Sequence, residues 1–175
     1  MPSVRLSSSD IRRLLGMLDE ELARDGATGE VYLVGGAVMC LALGARDATR
    51  DVDGLFKPTK VVREAAARVA ARADVPATWL NDAVKGFLGK RGDFDPFLEL
   101  GHLKVFVADP RYLLAMKCAA MRLGEGFQDL EDVRFLLRYL NVTRTDEALG
   151  IVTRYFDEKS LAPKTRLALE ELLGG

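Results

Sequence analysis

Two acidic side chains stand two positions apart in the segment Asp51-Val52-Asp53. Side chains alternate between the two faces of a β-strand, so Asp51 and Asp53 are expected to point the same way, with Val52 pointing into the core. Carboxylates this close repel each other unless a cation lies between them, and Mg²⁺ favours one or two carboxylates plus phosphate oxygens. The spacing therefore indicates a Mg²⁺ (or Mn²⁺) site. A solvated strand end, partly neutralised by Arg46 and Arg50, is the alternative interpretation.

The dipeptide Gly35-Gly36 follows an apolar run at 31–34 and precedes an apolar stretch, 37–43, that predicts a buried helix. A strand that ends in two glycines and opens a helix presents unobstructed backbone N–H groups, and phosphate oxygens bind well there. Neither the dinucleotide-binding glycine pattern nor the P-loop pattern is present. The dipeptide predicts a phosphate-binding turn, or a tight strand-to-helix turn without a ligand.

The elements that must position these residues follow from the apolar periodicity. A helix begins after a cap at Ser9-Asp10, where the apolar residues take up helical spacing. Further strands are predicted at 51–56 and, as a hairpin, at 98–100 and 103–107, and further helices at 59–73, 110–123, 128–140, 145–156 and 163–173. The expected fold is α+β, with a small mixed β-sheet flanked by helices over 1–109 and a C-terminal helical bundle over 110–175.

Three charged residues fall on the apolar faces of two predicted C-terminal helices. Lys117 lies on the apolar stripe of the helix at 110–123, and Asp129 and Asp132 lie on that of the next helix. A charge on a buried face must reach water, pair with an opposite charge or meet an ionic ligand. The pattern predicts an inward-facing cluster, and both an ion pair and a functional site fit it.

The order of strand, Gly35-Gly36, helix and Asp51-Val52-Asp53 on the next strand resembles the nucleotidyltransferase superfamily of the polymerase-beta type. The resemblance is close over 31–56 and looser up to Val107. It implies two-metal chemistry, in which the carboxylates hold Mg²⁺ and the metals orient an NTP. An acceptor hydroxyl would then attack the α-phosphorus and pyrophosphate would leave.

The stretch from Pro110 to Arg122, together with Asp129, resembles the helical half of the AbiEii/MenT toxin-like nucleotidyltransferases. The segment 79–82, Trp-Leu-Asn-Asp, resembles a small uncharacterised branch of these proteins. In those families a lysine and an aspartate from the helical half complete the site. By this resemblance the catalytic residues are Asp51, Asp53, Lys117 and Asp129, and the nucleotide-binding residues are Gly35, Gly36, Arg50 and Lys117.

The superfamily pattern also includes a third carboxylate on a later strand. The predicted strand at 103–107 offers only Lys104 as a charged residue. Asp82 is therefore the preferred third metal ligand, and Glu99 is the other candidate. If neither reaches the site, Asp129 replaces it or the enzyme works poorly.

Composition limits the possible partners. The 25 basic and 26 acidic residues nearly cancel, so nucleic acid would bind only to a local patch. Cys40 and Cys118 lie in apolar helical patterns, which predicts reduced, buried thiols in a cytoplasmic protein. The longest apolar stretch, 37–43, is too short to cross a membrane, and the polar N-terminus is not typical of a signal peptide.

Three functions are consistent with these patterns. The first is transfer of NMP from an NTP to a tRNA-like RNA or a protein, with the chain as one component of a toxin–antitoxin pair that binds a cognate antitoxin. The second is a catalytically weak or inactive nucleotide-binding or regulatory module of the same fold. The third is a structural helical partner protein, in which substitution of Lys117 or Asp51 would leave function intact.

Overall fold

A computed structural model of the protein describes residues 5–82, 92–121 and 129–174. The chain divides into two compact units. The first unit contains the described residues 5–82 and 94–108. The second contains the described residues 92–93, 109–121 and 129–174.

The first unit combines a mixed sheet with helices. Its elements are β1 (Leu6–Ser7), α1 (Ser8–Arg24), β2 (Gly29–Val34), α2 (Gly35–Leu41), β3 (Ala48–Thr49), β4 (Val52–Lys57), α3 (Thr59–Ala73), β5 (Leu80–Asn81), β6 (Phe94–Glu99) and β7 (Leu103–Ala108). Five of these strands form one sheet in the order β5-β4-β2-β7-β6, and β1 pairs with β3. Neighbouring strands run parallel in β4–β5 and β2–β7 and antiparallel in β2–β4 and β6–β7. The expected mixed sheet with flanking helices is confirmed.

The N-cap of helix α1 lies two residues before the predicted cap at Ser9. Ser7 is the N-cap: its Oγ accepts a hydrogen bond from the backbone N–H of Asp10 (3.1 Å), and its own N–H donates to the Asp10 carboxylate (2.9 Å). This reciprocal capping box satisfies two N–H groups, whereas a cap at Ser9 would leave Asp10 without that role. The apolar residues at helical spacing are fully buried: Ile11, Leu14, Leu15, Leu18 and Leu22.

One face of the sheet is covered by α1 and α3. A Cβ atom on Gly29, at the start of β2, would lie 2.9 Å from the Val62 side chain of α3 and 3.2 Å from the Leu22 side chain of α1. Val31 and Leu33 share this face and are fully buried. Residues 30, 32 and 34 of β2 alternate with them and lie on the opposite face. Their partners on β4, residues 57, 55 and 53, share that opposite face.

Helix α2 is shorter than predicted. It ends at Leu41 instead of Leu43, and Ala42 is exposed. The chain then turns at Gly44, whose φ of +62° favours glycine, and the Ala45 N–H donates to the carbonyl oxygen of Met39. Residues 37–41 are buried, as the apolar pattern predicted.

The described part of the second unit consists mainly of helices. Its helices are α4 (Pro110–Ala119), α5 (Asp129–Tyr139), α6 (Thr145–Thr153) and α7 (Pro163–Leu173). α4 packs against α5 and α6, and α6 packs against α7. The helices predicted at 110–123 and 128–140 include residues 122, 123 and 128, which lie outside the described residues. α6 ends three residues early, because Tyr155 and Phe156 form a turn that closes on the carbonyl oxygen of Val152.

Both cysteines are free and buried. Burial raises the pKa of the Cys118 thiol to about 12 and also raises the pKa of the Cys40 thiol. Each side chain therefore packs as a small apolar group. Across the described ranges, no helix is both long enough and apolar enough to cross a membrane.

Candidate functional site

The acidic strand and the Gly-Gly turn lie side by side in the first unit. Asp53 pairs in register with Val34, the last residue of β2, and Gly35 follows Val34 directly. The Oδ2 atom of Asp53 lies 3.5 Å from the position that a Cβ atom of Gly35 would occupy. Gly35 has a φ of +66°, which side chains other than glycine rarely adopt. α2 thus returns the chain so that Asp53 lies beside the turn, as the order of the motifs predicted.

Asp51 and Asp53 flank a buried valine. Val52 is 0% exposed and its backbone N–H donates to the carbonyl oxygen of Trp79 at 2.6 Å, whereas both aspartates are half-buried. Asp53 therefore lies on the face of the sheet opposite to α1 and α3, whereas Asp51 lies one residue before β4 and its position on the same face stays a prediction. Their oxygen atoms are ligands of the kind that Mg²⁺ favours.

Two side chains approach the second glycine of the turn. A Cβ atom on Gly36 would lie 2.7 Å from Oγ1 of Thr49 and 2.8 Å from Nη1 of Arg46. The Thr49 hydroxyl also donates to the carbonyl oxygen of Asp51 at 3.2 Å. A guanidinium and a hydroxyl therefore lie close to the backbone where the sequence predicts a phosphate group.

From the sequence, Arg46 was expected to neutralise the acidic strand or to meet RNA phosphates, and Thr49 was not selected. Thr49 belongs to β3, a two-residue strand that pairs with β1. A strand this short has no periodicity by which it could be recognised. The exposed Arg50 follows Thr49, and its assignment to nucleotide binding stays a prediction.

On the neighbouring strand β5, the residue next to Asp53 is an asparagine. Asn81 of β5 pairs in register with Asp53. Asp82, the predicted third metal ligand, lies 2.7 Å from Nη2 of Arg63, and that role stays a prediction. Glu99 lies on β6 at the end of the sheet away from the Gly-Gly turn. Over residues 5–82, 92–121 and 129–174, no three His, Cys, Asp or Glu side chains form a group that could hold a metal ion.

The sheet face that carries Asp53 also carries an aromatic cluster. Tyr32 stacks on Phe106 with ring centroids 4.7 Å apart, Phe94 meets Tyr32 edge-on at 5.2 Å, and the Lys57 ammonium lies 5.0 Å from the Tyr32 ring centre. A hydrogen bond to Glu30, together with burial, raises the pKa of Tyr32 to about 12. Tyr32 therefore keeps its proton at neutral pH and does not serve as a general base.

A cleft of about 480 Å³ lies at the opposite end of this sheet. It is lined by charged residues of both signs and by His102. His102 is held by its neighbours: its N–H donates to the Asp19 carboxylate at 2.7 Å, and its Nδ1 lies 3.0 Å from the carbonyl oxygen of Ala27. The histidine thus fixes the hairpin between β6 and β7, and the cleft lies far from both aspartates of β4.

The predicted inward-facing charges form an ion cluster in the second unit. Lys117 Nζ lies 2.8 Å from Oδ2 of Asp132 and 3.5 Å from Oδ1 of Asp129. The side chains of Lys117, Asp132 and Asp129 are 13%, 5% and 5% exposed. The prediction that all three face inward is confirmed, and they are arranged as the ion pair that the sequence allowed. A catalytic role for Lys117 and Asp129 stays a prediction.

The first unit therefore brings together the Asp53 carboxylate, a glycine turn and a guanidinium, with Asp51 two residues before Asp53. Asp53 meets the turn at Gly35, and Arg46 meets it at Gly36. Hard oxygen ligands and a fixed positive charge are the groups that a metal-bound polyphosphate needs. No family model, no curated protein and no solved structure matches the chain.

Proposed function

We propose that the protein is a Mg²⁺-dependent nucleotidyltransferase that transfers NMP from an NTP to a hydroxyl group of an RNA or a protein. The observation that carries the proposal is the position of the Asp53 carboxylate against Gly35. Metal ligands and a phosphate-binding turn must lie within the span of one polyphosphate to act together. The register between β2 and β4 supports such a span.

The donor set of the site suits Mg²⁺. Asp53 at the start of β4 and Asp51 just before it offer carboxylate oxygens, and the absence of a side chain at Gly35 leaves space beside Asp53. These two residues would hold the cation, which needs few protein ligands because phosphate oxygens and water complete its shell. When bound, Mg²⁺ neutralises charge on the phosphate oxygens and orients the reacting groups.

The triphosphate would lie against the Gly-Gly turn. α2 has only seven residues, so its dipole is a minor contribution and the local backbone N–H groups matter more. The Arg46 guanidinium adds a permanent charge and a planar set of donors that fits phosphate oxygens. A side chain at Gly36 would collide with Arg46 and Thr49, and this explains why glycine is needed there.

The proposed reaction is an in-line displacement at the α-phosphorus. The acceptor oxygen forms a bond to the α-phosphorus while the bond from that phosphorus to the oxygen bridging to the β-phosphate breaks. Pyrophosphate leaves with the electron pair, and the proton of the acceptor hydroxyl is released to water. Asp51 and Asp53 would hold the cation that keeps the triphosphate in line, and Arg46 would stabilise the negative charge on the phosphates.

Label position tests the reaction. Each of the four NTPs, labelled at the α- or the γ-phosphorus, is incubated with Mg²⁺ and either bulk tRNA or a protein extract. We expect α-label and no γ-label on one acceptor class, and a loss of about 10²-fold or more with Asp53→Asn. Asp74→Asn is the matched control, because Asp74 is exposed and its left-handed conformation (φ 55°) also accommodates asparagine.

Two outcomes would contradict the proposal. Transfer of γ-label would identify a phosphotransferase, and absence of α-label from every acceptor would remove the transfer reaction. A binding module without turnover is the second candidate, and the uncharged Asn81 next to Asp53 favours it. Tight binding of an NTP with Mg²⁺ and no labelled product would support that candidate.

The role as a toxin with a cognate antitoxin belongs to the same proposal. A transferase that modifies tRNA would stop translation when expressed alone. Induction in a bacterial host is therefore expected to arrest growth with the wild type and not with Asp53→Asn at equal protein level. Growth arrest by both proteins would show that the toxicity does not depend on the candidate site.

A further inference from the structure

The side chain at position 81 limits the negative charge of the candidate site. Asn81 pairs in register with Asp53 on parallel strands, so the two side chains leave the same face of the sheet, with the strands about 4.8 Å apart. On the other side of Asp53 the residue in register is Val34. An asparagine oxygen can ligate a cation but brings no charge, and valine brings neither. Of these three residues in register, only Asp53 carries a carboxylate.

Arg46 brings a positive charge to the same turn. Its Nη1 lies 2.8 Å from the position of a Cβ atom on Gly36, one residue from the glycine that Asp53 approaches. A guanidinium keeps its proton at all physiological pH values. Two carboxylates balance one divalent cation, and the nearby guanidinium disfavours a second cation.

We infer that the site holds a single divalent cation and that Arg46 supplies the second positive charge at the triphosphate. The inference rests on the proposed function, because it assigns the residues of that same site. It makes Asn81 the residue that sets the number of cations. It also adds Arg46 to the residues that bind the triphosphate.

The number of cations is measured with Mn²⁺, whose free ion gives an electron paramagnetic resonance signal that is lost on binding. Without nucleotide, we expect the wild type to bind one Mn²⁺ per chain, Asn81→Asp to bind two and Asp53→Asn to bind none. Two Mn²⁺ ions on the wild type would overturn the inference and leave the proposed function standing. No Mn²⁺ on the wild type would overturn the inference, and no NTP binding in the presence of Mg²⁺ would overturn the proposed function as well.

The role of Arg46 is measured with inorganic tripolyphosphate, which needs no knowledge of the base. With Mg²⁺ in excess, Arg46→Gln is expected to weaken calorimetric binding by about tenfold or more, since one charge-assisted contact is lost. Arg46→Lys is expected to recover part of the affinity, because it restores the charge but not the planar donors. Arg13→Gln, which removes an exposed arginine of α1, is the matched control.

The decisive variant combines both changes. In Arg46→Gln/Asn81→Asp, the added carboxylate admits a second cation that replaces the lost guanidinium, so tripolyphosphate affinity is expected to return to near the wild-type value. Failure of the double variant to recover affinity, with an unchanged melting temperature, would overturn the inference. So would Arg46→Gln binding as tightly as the wild type.

Discussion

The Oδ2 atom of Asp53 lies 3.5 Å from the point where a Cβ atom of Gly35 would stand. The two residues are 18 positions apart in sequence, and the pairing of β2 with β4 brings them together. The lack of a side chain at Gly35 leaves the carboxylate and the backbone of the turn open to one ligand. This relationship supports a site for a metal-bound triphosphate.

Substitution of Gly35 by alanine should impair both folding and nucleotide binding. At a φ of +66° an alanine costs about 1–2 kcal/mol of stability, and its Cβ would contact the Asp53 carboxylate. Gly44→Ala is the matched control, since Gly44 has a φ of +62° and nothing within 4 Å of its Cβ position. Urea unfolding should show similar losses for both variants, and calorimetry should show weakened NTP binding for Gly35→Ala alone. Equal NTP affinities would contradict the assignment of the turn.

Gly54 of β4 is expected to be essential for the close approach of β2. A Cβ atom there would lie 2.6 Å from the carbonyl oxygen of Tyr32, a backbone atom that cannot move without disturbing the sheet. Gly54→Ala should therefore lower the free energy of unfolding by about 1–3 kcal/mol or more. Gly16→Ala, in the interior of α1 with open space at its Cβ position, should raise it by about 0.5–1 kcal/mol. A Gly54→Ala variant that is as stable as the wild type in urea unfolding, or more stable, would contradict this packing.

The ion cluster of the second unit should be necessary for stability. Lys117→Met leaves two buried carboxylates without their ammonium partner, so it is expected to cost about 3–5 kcal/mol. Lys117→Arg keeps the charge and should cost less. Urea unfolding measures both changes, and a cost below about 1 kcal/mol for Lys117→Met would contradict the buried pairing.

The same arginine variant tests whether Lys117 also takes part in the transfer. If Lys117→Arg stays folded and loses transfer activity by more than about tenfold, the lysine acts on the substrate as well as on its aspartates. Unchanged transfer would make Lys117 a structural residue. The activity of each variant must be corrected for its folded fraction, because a loss of stability alone would lower the activity.

Glu21 should make stability depend on pH. A hydrogen bond from Arg68 lowers the pKa of this 4% exposed carboxyl below 4.5, with a further hydrogen bond from Arg72. A lowered folded-state pKa stabilises the protein above about pH 4.5, and this contribution is lost as the pH falls through the folded value. Glu21→Gln should cost about 1.5–3 kcal/mol at neutral pH, and its difference from the wild type should shrink below about pH 4.5.

Glu64 is the control for this effect. Its side chain is exposed, and its Oε1 atom lies as far as 4.0 Å from Nζ of Lys60. Glu64→Gln should change the free energy of unfolding by less than about 0.5 kcal/mol at either pH. Equal and pH-independent effects of the two substitutions would contradict the role assigned to Glu21.

The sequence predicted the features that depend on local periodicity. The 3.6-residue spacing of apolar residues placed Lys117 and Asp132 inward, and the two-residue alternation put Asp53 on the face opposite to Val52. The helix at 59–73 matches α3 at both ends. In each case neighbouring residues along the chain carry the whole signal.

Features that depend on pairing between distant segments were not predictable in this way. Asn81 lies beside Asp53 through the register of a two-residue edge strand, and Arg46 and Thr49 reach Gly36 through a loop and the equally short β3. The start of α1 at Ser7 also escaped prediction, because three consecutive serines offer similar caps and only the reciprocal bond with Asp10 selects one. Nonlocal register and cap geometry are set by the folded chain.

Calorimetric binding of NTPs tests the central claim most directly, because it needs no acceptor. Each of the four NTPs is titrated into the wild type with Mg²⁺ and with chelator, and into Asp53→Asn and the Asp74→Asn control with Mg²⁺. We expect at least one NTP to bind at one per chain with Mg²⁺, chelator or Asp53→Asn to abolish this binding, and Asp74→Asn to preserve it. Absence of binding by all four NTPs, or binding that neither Mg²⁺ removal nor Asp53→Asn affects, would contradict the central claim.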